Sequence, residues 1–529
     1  MTVPFLPESA PFTPAQRAYL NGFFAGLLNV DPAVADASAP SSGGGTALAE
    51  PPEDLIDEDD MPWHDPALML DDRMALAEDK PAEFKFMAAM AQLDCGACGY
   101  LCRTYSKAIA EGKEADLNRC VPGGGETAKK LKQLVKENPV ELSVGGEPVE
   151  SDTPTEIRYD RDNPFPAPIL AIKKLTREGS AKDVRFVALD LTGSGITYDV
   201  GDALGVFPDN ETELVDRILD AMKVTGNEPV AIGPRKLVPL REALTSWRAI
   251  TQADEELANL FADAAEDKAE AQALRELAAD ETRLARFDLF DLVQQFKSAK
   301  VRPSELVATL PTLQPRLYSI SSSQAACPNE VHLTVGVVRY ELDGRPRRGV
   351  ASTFFAERVN LGDTARIFIQ KAHAFAPPAD LNTPMIMVGP GTGIAPFRAF
   401  CQQRLHDGAA GDNWLLFGDQ RRATDYLYEH ELEQWRQSGL ITRLDLAFSR
   451  DQDEKIYVQH RMLEAGAEMW QWLDRGAHFY ICGDANRMAK DVDDALKQIV
   501  AEHGGKSADE AAAYVAKLVE DGRYQRDVY

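Results

Sequence analysis

Cys95, Cys98, Cys102 and Cys120 stand in the pattern C-x2-C-x3-C-x17-C within "DCGACGYLCRTYSKAIAEGKEADLNRC", and they are four of only seven cysteines in the chain. Thiols at such spacing invite three readings: a metal site, a disulfide pair or unliganded side chains. The N-terminal "MTVPFLPESAPF" shows no basic region, apolar block or cleavage site of a secretory signal. A cytoplasmic, reducing setting is therefore expected, and there disulfides are disfavoured. Zinc asks for four thiolates in a tetrahedron, usually from two separated C-x2-C knuckles. Three cysteines bunched in a short loop, with a fourth far along the chain and near Pro122, suit a 4Fe-4S cluster better. Gly96 and Gly99 would let backbone amides approach the sulfurs. Structural zinc and bare thiols remain the rival readings.

A second group of residues carries nucleotide chemistry. "VGPGTGIAPFRAF" (388 to 400) places Gly391, Thr392 and Gly393 between a predicted strand and a predicted helix, where a tight turn brings amides close to a pyrophosphate. "FSRDQDEKIYVQ" supplies Ser449, Arg450, Lys455, Tyr457 and Gln459, a polar and cationic set able to hold a phosphomonoester. "FYICGD" ends a strand with Cys482 at the carboxyl edge of a sheet, where open α/β sheets bind ligands. "RLYSISS" alternates a cation, an aromatic ring and hydroxyls along a strand, and "RRGVASTFFAERV" offers Gly349 ahead of a helix as a second phosphate cradle. Cys327 and Cys401 are assigned no role beyond packing.

These residues need elements to hold them. A chain of 529 residues implies two or three domains, and 44% hydrophobic with 27% charged residues argues for a globular protein. No apolar run is long enough to span a bilayer. A net charge of -27 disfavours nucleic acid and anionic membranes as partners. Residues 1 to 30 contain one short amphipathic helix, over 13 to 28, and 31 to 62 read as a flexible acidic linker. The cysteine module is expected within 80 to 140, with a charged helix near 126 to 137. From 156 to 380 the texture is that of a β-barrel, interrupted near 212 to 298 by an acidic, all-helical insertion. Strands alternate with helices over 381 to 529, which predicts a parallel sheet covered on both faces.

The stretches "YDVGDALGVFPDN", "PRLYSISSSQA", "EVHLTVGVVRY", "GPGTGIAPFRAF", "FSRDQDEKIYVQ", "YICGDANRMAKDV" and "RYQRDVY" occur in order over nearly three quarters of the chain. That part resembles the FAD and NADPH modules of diflavin reductases of the ferredoxin-NADP reductase superfamily, in particular the flavoprotein (alpha) subunits of assimilatory NADPH-sulfite reductases. The resemblance implies a multidomain fold: a small α-rich iron-sulfur module, an FAD-binding antiparallel β-barrel with a helical insertion, and an α/β parallel-sheet NADPH-binding domain. It also implies roles. Arg316 would hold the FAD pyrophosphate, Tyr318 would pack on the isoalloxazine, and Ser319 would lie near flavin N5. Leu317, Thr334, Val335, Gly336 and Tyr340 would line FAD; Gly349, Val350, Ala351 and Ser352 would cradle its phosphates; Thr251 would add a contact. Gly391, Thr392 and Gly393 would meet NADPH, Ser449, Arg450, Lys455, Tyr457 and Gln459 would select it, and Asp491 would add a contact. Ser319, Cys482 and Asp527 would form the polar set around the hydride path, and Tyr529 would shield the flavin and swing aside for nicotinamide.

Such reductases normally carry an N-terminal FMN domain of flavodoxin type. The first 150 residues here lack its successive strands and phosphate loop, and the four-cysteine stretch stands in their place. "CVPGGG" is similar to the end of a known 4Fe-4S module whose usual opening is C-x2-C-x4-C, one residue longer in the middle than here. The expected route runs from NADPH to FAD to cluster to a sirohaem sulfite reductase hemoprotein (beta) subunit, as a hetero-oligomer or a looser pair. The alternatives are another acceptor (nitrite or nitrate reductase, or ferredoxin), or an FAD reductase whose N-terminal module is a structural zinc docking domain.

Overall fold

A computed structural model describes residues 61–64, 68–92, 100–114, 117–120, 123–138, 159–233, 236–372, 375–485 and 487–529. The amphipathic helix expected over 13 to 28, nearly all of the expected linker, and both Cys95 and Cys98 lie outside the described residues.

Among the described residues, four helices form the cysteine module: α1 (Leu70–Leu76), α2 (Ala82–Ala88), α3 (Cys102–Ala110) and α4 (Gly124–Glu137). Each is too short to stand alone in water, so tertiary packing must supply the stability. The sequence provides it by burying Phe86 and Met87 of α2 against Tyr105 and Ile109 of α3 and Leu131 and Leu134 of α4. The helix near 126 to 137 begins two residues earlier than the periodicity suggests, because Gly124 takes a left-handed turn at φ +53°.

Strands β1 (Phe165–Lys174), β2 (Val184–Asp190), β3 (Ala203–Phe207), β6 (Arg316–Ser319), β7 (Glu330–Gly336) and β10 (Thr364–Gln370) make one antiparallel sheet in the order β6-β3-β10-β1-β2-β7. A bridge between Ile320 and Leu333 joins its two edges, which closes the barrel and removes unpaired edges. Inward-facing Ile169, Val187, Leu204, Leu333 and Ile367 fill it. Between β3 and β6 lies the insertion. It is not all helical: β4 (Pro229–Gly233) and β5 (Lys236–Pro239) form a hairpin after the first helix, Thr212–Met222. A two-strand pair this short gave no alternation long enough to read. The hairpin's Val230 and Val238 are buried with Leu257, Phe261, Leu289 and Leu306 in a core of the insertion's own.

Beside β7, strands β8 (Arg339–Leu342) and β9 (Arg345–Arg348) make a second hairpin, where the sequence reads as one continuous strand from 330 to 340. Its arginines are anchored to the insertion: Arg345 and Arg347 both bind the buried carboxylate of Asp288 and the half-buried one of Asp291.

The last third is a parallel sheet in the order β13-β12-β11-β14-β15, from β11 (Met385–Val388), β12 (Asn413–Asp419), β13 (Arg443–Phe448), β14 (His478–Gly483) and β15 (Tyr524–Val528). All four residues of β11 and all seven of β12 are buried, as expected of strands covered by helices on both faces. Two devices fix this sheet to the barrel. The β1–β2 turn reaches across it, with Arg177 donating its backbone N–H to Thr424 O at 2.8 Å, Ser180 bonding Asp425, and Lys182 paired with Asp419 at 2.5 Å. Arg398, itself 8% exposed, donates to Glu431 at 2.7 Å and to Ser321 O at 2.6 Å, with Tyr428 against its guanidinium. A buried guanidinium whose donors are taken on both sides of a junction resists any sliding of the two domains.

Candidate flavin, nucleotide and cluster site

Parallel pairing sets Cys482 of β14 directly opposite Asp527 of β15. The end of β6 brings Ser319 to the same spot. Ser319 Oγ donates to Asp527 Oδ2 at 2.6 Å, and the Cys482 thiol donates to that oxygen at 3.5 Å. Loss of solvent pushes the Asp527 carboxyl above its ordinary range, although both donors pull it back. Burial and the neighbouring carboxylate push the Cys482 thiol well up, so it persists as a thiol rather than a nucleophilic thiolate. The trio is a fixed polar patch at the barrel–sheet junction, with no activated nucleophile.

Tyr529 stands over the patch. Its backbone N–H donates to Gly483 O at 3.0 Å, and its hydroxyl shares a hydrogen bond with Thr392 Oγ1 at 3.0 Å. The residue as a whole is 58% exposed. One side-chain hydrogen bond, worth about 1 kcal/mol net, holds it down, so a planar ring of comparable size can displace it.

Gly391, Thr392 and Gly393 form a 3-10 turn running into the helix Ile394–Asp407. Gly391 needs its φ of +59°, and a Cβ on Gly393 would lie 2.1 Å from the Cys482 carbonyl oxygen. Both glycines are thus dictated by backbone approach. Farther along this edge, Ser449 N donates to Asp419 O at 2.9 Å, Tyr457 opens the helix Val458–Glu464, and Gln459 donates to Asp491 at 3.1 Å. Arg450 and Lys455 are exposed, and among the described residues neither is engaged by a carboxylate. Two uncommitted cations beside a serine and a tyrosine fit a phosphomonoester.

A cavity of about 1700 Å³ runs along the junction. Its walls include Leu317, Tyr318, Ser319, Thr334 and Gly336 from the barrel, and Gly391, Thr392, Asp419, Asp527 and Tyr529 from the parallel-sheet domain. Tyr318 is braced edge-on by Phe355 at 6.2 Å. Thr334 is locked by Tyr428, whose hydroxyl lies 2.7 Å from its own. The volume and lining suit the reacting ends of two large cofactors better than one small substrate.

The other expected flavin contacts lie outside this cavity. Arg316 precedes Leu317 on β6, Val335 is buried in β7, and Tyr340 is exposed on β8. Gly349 precedes Val350, Ala351 and Ser352 of the short helix Val350–Thr353, in which Ser352 Oγ accepts the Val338 N–H at 3.1 Å and a Cβ on Gly349 would meet that oxygen at 2.8 Å. Thr251 is on an exposed bend of the insertion and is not brought to the cavity.

Three positions were not anticipated. Lys182 and Asp419, 237 residues apart, pair at the nucleotide loop, and the second carboxylate oxygen of Asp419 has no partner among the described residues. Tyr428 supports Thr334 from the other domain. Nothing local to these residues marks them; only the packing of the β1–β2 turn on the sheet does.

The same cavity is walled on one side by the cysteine module, through Leu68, Arg73, Gln92, Gly123 and Thr127. Cys102 opens α3 and Cys120 precedes α4, both buried. Burial pushes the Cys120 thiol above its ordinary range, and Gly123 leaves room for the Thr127 hydroxyl in the same pocket. Among the described residues no three Cys, His, Asp or Glu side chains group around one point, since Cys95 and Cys98 fall outside them.

Comparison with known proteins accords with this geometry. Residues 157–354 match the family model "FAD binding domain", 387–494 match "Oxidoreductase NAD-binding domain", and 90–122 match "Putative Fe-S cluster". The chain thus matches, in order, an iron–sulfur segment, a flavin-binding domain and a nicotinamide-dinucleotide-binding domain. Among curated proteins it is similar to the sulfite reductase [NADPH] flavoprotein alpha-components of Photorhabdus laumondii (48% identical over 375 residues), Serratia proteamaculans (46% over 371) and Vibrio cholerae (46% over 378). These alignments cover 70–71% of this chain and 61–62% of each relative, so the chain spans about three fifths of their length.

Proposed function

We propose that the protein is an NADPH-dependent electron-transfer subunit that serves a sirohaem-containing sulfite reductase hemoprotein. The observation that carries the reading is the single cavity into which the flavin strand β6, the nucleotide loop and the Cys120 side of the cysteine module all open. When bound, FAD accepts a hydride as an electron pair and a 4Fe-4S cluster passes electrons singly, the conversion a one-electron acceptor requires. The chain's own contributions are positional. Tyr318 and Thr334 shape the flavin pocket, Tyr529 keeps water from it until nicotinamide takes its place, and Ser319, Cys482 and Asp527 present a fixed dipolar patch to the charge that shifts during hydride transfer.

Arg450 and Lys455, with Ser449, Tyr457 and Gln459, are the residues we assign to the 2′-phosphate that distinguishes NADPH from NADH. Cys95, Cys98, Cys102 and Cys120 are assigned as cluster ligands. The likeness to the alpha-components supports the sulfite reductase hemoprotein as acceptor.

Anaerobically prepared protein should contain FAD, iron and acid-labile sulfide without FMN, and should reduce the hemoprotein at the expense of NADPH. Rapid reduction of ferredoxin with none of the hemoprotein would reassign the acceptor. Zinc without sulfide would replace the cluster by a docking module.

A further inference from the structure

Asp419 ends β12 with a carboxylate whose two oxygens are used differently. Oδ1 accepts from Lys182 Nζ at 2.5 Å and from Gln420 N at 2.7 Å. Oδ2 has no donor among the described residues, although the side chain is 0% exposed. A buried carboxylate oxygen without a donor carries a desolvation cost. Clamping the β1–β2 turn to the sheet gives no reason to bear that cost, because Oδ1 alone makes the clamp.

The free oxygen faces the nucleotide turn. A Cβ built on Gly391 would lie 3.8 Å from Asp419 Oδ2 and 3.7 Å from Lys182 Nζ, so the bare side of this glycine opens onto both charged groups. Asp419, Lys182, Gly391 and Thr392 all line the junction cavity. Asp419 also supports the loop assigned to the phosphomonoester: its backbone O accepts from Ser449 N at 2.9 Å, and Gln420 O accepts from Arg450 N at 2.8 Å. In the sheet order β12 lies between β13, which leads into Ser449 and Arg450, and β11, which leads toward Gly391. A dinucleotide stretched from those cations to Cys482 on β14 must pass over Asp419.

The chemistry of the oxygen selects the group it meets. A carboxylate oxygen only accepts, so it repels bare phosphate oxygens and takes an O–H or N–H. The Lys182 ammonium at its side offsets the charge that a neighbouring pyrophosphate would otherwise feel. The carboxamide of the nicotinamide travels with the reacting ring to Cys482, on the other side of β11, whereas ribose hydroxyls flank the pyrophosphate itself. We propose that Asp419 Oδ2 accepts a hydrogen bond from a ribose hydroxyl of the dinucleotide, with Lys182 as the positioning residue that holds the carboxylate in place. The inference deepens the nucleotide site assigned above and rests on that reading.

The test measures binding rather than turnover, by calorimetry on the full-length, FAD-loaded protein. Two probes separate the two riboses: NADP+ carries both, and adenosine 2′,5′-bisphosphate carries only the adenosine one. Asp419→Ala should weaken NADP+ binding by about tenfold, the loss of one hydrogen bond to a charged group. Asp419→Asn keeps the shape and the Lys182 contact, and should lose only about threefold. Equal loss with both probes places the hydroxyl on the adenosine ribose, and loss with NADP+ alone places it on the nicotinamide ribose. A role confined to clamping predicts instead that Asp419→Ala and Lys182→Met lower the melting temperature alike and leave both dissociation constants unchanged, which would overturn the proposal. Tighter binding by Asp419→Asn would overturn it too, by showing that the carboxylate only repels the phosphates. No binding of NADP+ by the unmodified protein would instead remove the nucleotide site itself.

Discussion

Asp527 shows how one side chain can serve chemistry at the expense of the fold. Its carboxyl titrates above the ordinary aspartate range because burial penalises the charge more than Ser319 and Cys482 relieve it. The native state then holds that proton to higher pH than the unfolded chain does. Asp527 therefore favours folding at low pH, and that contribution is lost as pH rises from the unfolded value through the raised one. Asp527→Asn, neutral at every pH, should match the unmodified protein in acid and exceed its stability near pH 7, as denaturant titrations at the two pH values will read. The same substitution should slow flavin reduction by about a hundredfold, because it disturbs the group that orients Ser319 and Cys482. Arg450 and Lys455 give a cleaner separation: replacing both by neutral residues should raise KM for NADPH by at least about tenfold and barely change that for NADH, since only the first carries the phosphate. Equal loss with both cofactors in steady-state assays would disprove the assignment.

At the scale of elements, the β8–β9 hairpin is held by charges rather than by apolar area. Asp288, with its side chain 4% exposed, meets both Arg345 and Arg347, and Asp291 meets the same pair. Removing one partner of such a network leaves the others charged and dry. Asp288→Asn should cost about 3 kcal/mol and weaken retention of FAD, through a hairpin that leads directly into Gly349. Thermal melts with and without added FAD would measure both effects. Charge-pair geometry of this kind was not legible in the sequence, where "RPRR" and "DLFDL" lie more than fifty residues apart. The apolar character of β2 and β7 was legible, and β7 is buried on both faces from Val331 to Val335. The hairpin β4–β5 was hidden, being short and set within helices.

On the scale of the whole molecule, the cysteine module meets the insertion through exposed ion pairs, Lys132 with Glu256 at 2.6 Å and Lys129 with Glu281 at 3.5 Å. Exposed pairs contribute about 0–1 kcal/mol each and are screened by salt. Electron passage from flavin to cluster should accordingly slow as ionic strength rises, while flavin reduction by NADPH, which depends on the rigid Arg398 and Lys182 junctions, stays level. The charge swap Lys132→Glu with Glu256→Lys should restore what Lys132→Glu alone takes away in stopped-flow traces. Invariance of both steps to salt would show that the module is held otherwise. Loss of the cluster is also separable: Cys102→Ala and Cys120→Ala proteins should lose iron and the signal of the reduced cluster, yet still pass electrons from NADPH through flavin to ferricyanide.

The sequence by itself determined the chemistry available: four closely spaced thiols, a glycine turn after an apolar strand, a cluster of cations and hydroxyls, and a strand that presents tyrosine and serine on alternate faces. These are local matters of spacing and backbone freedom, which the order of residues sets directly. Tertiary structure alone decided their convergence. Ser319 meets Asp527 across 208 residues, Lys182 meets Asp419 across 237, and Arg73 lines the same cavity as Tyr529. Contacts between such distant residues depend on how closed surfaces pack, and no short-range pattern encodes that.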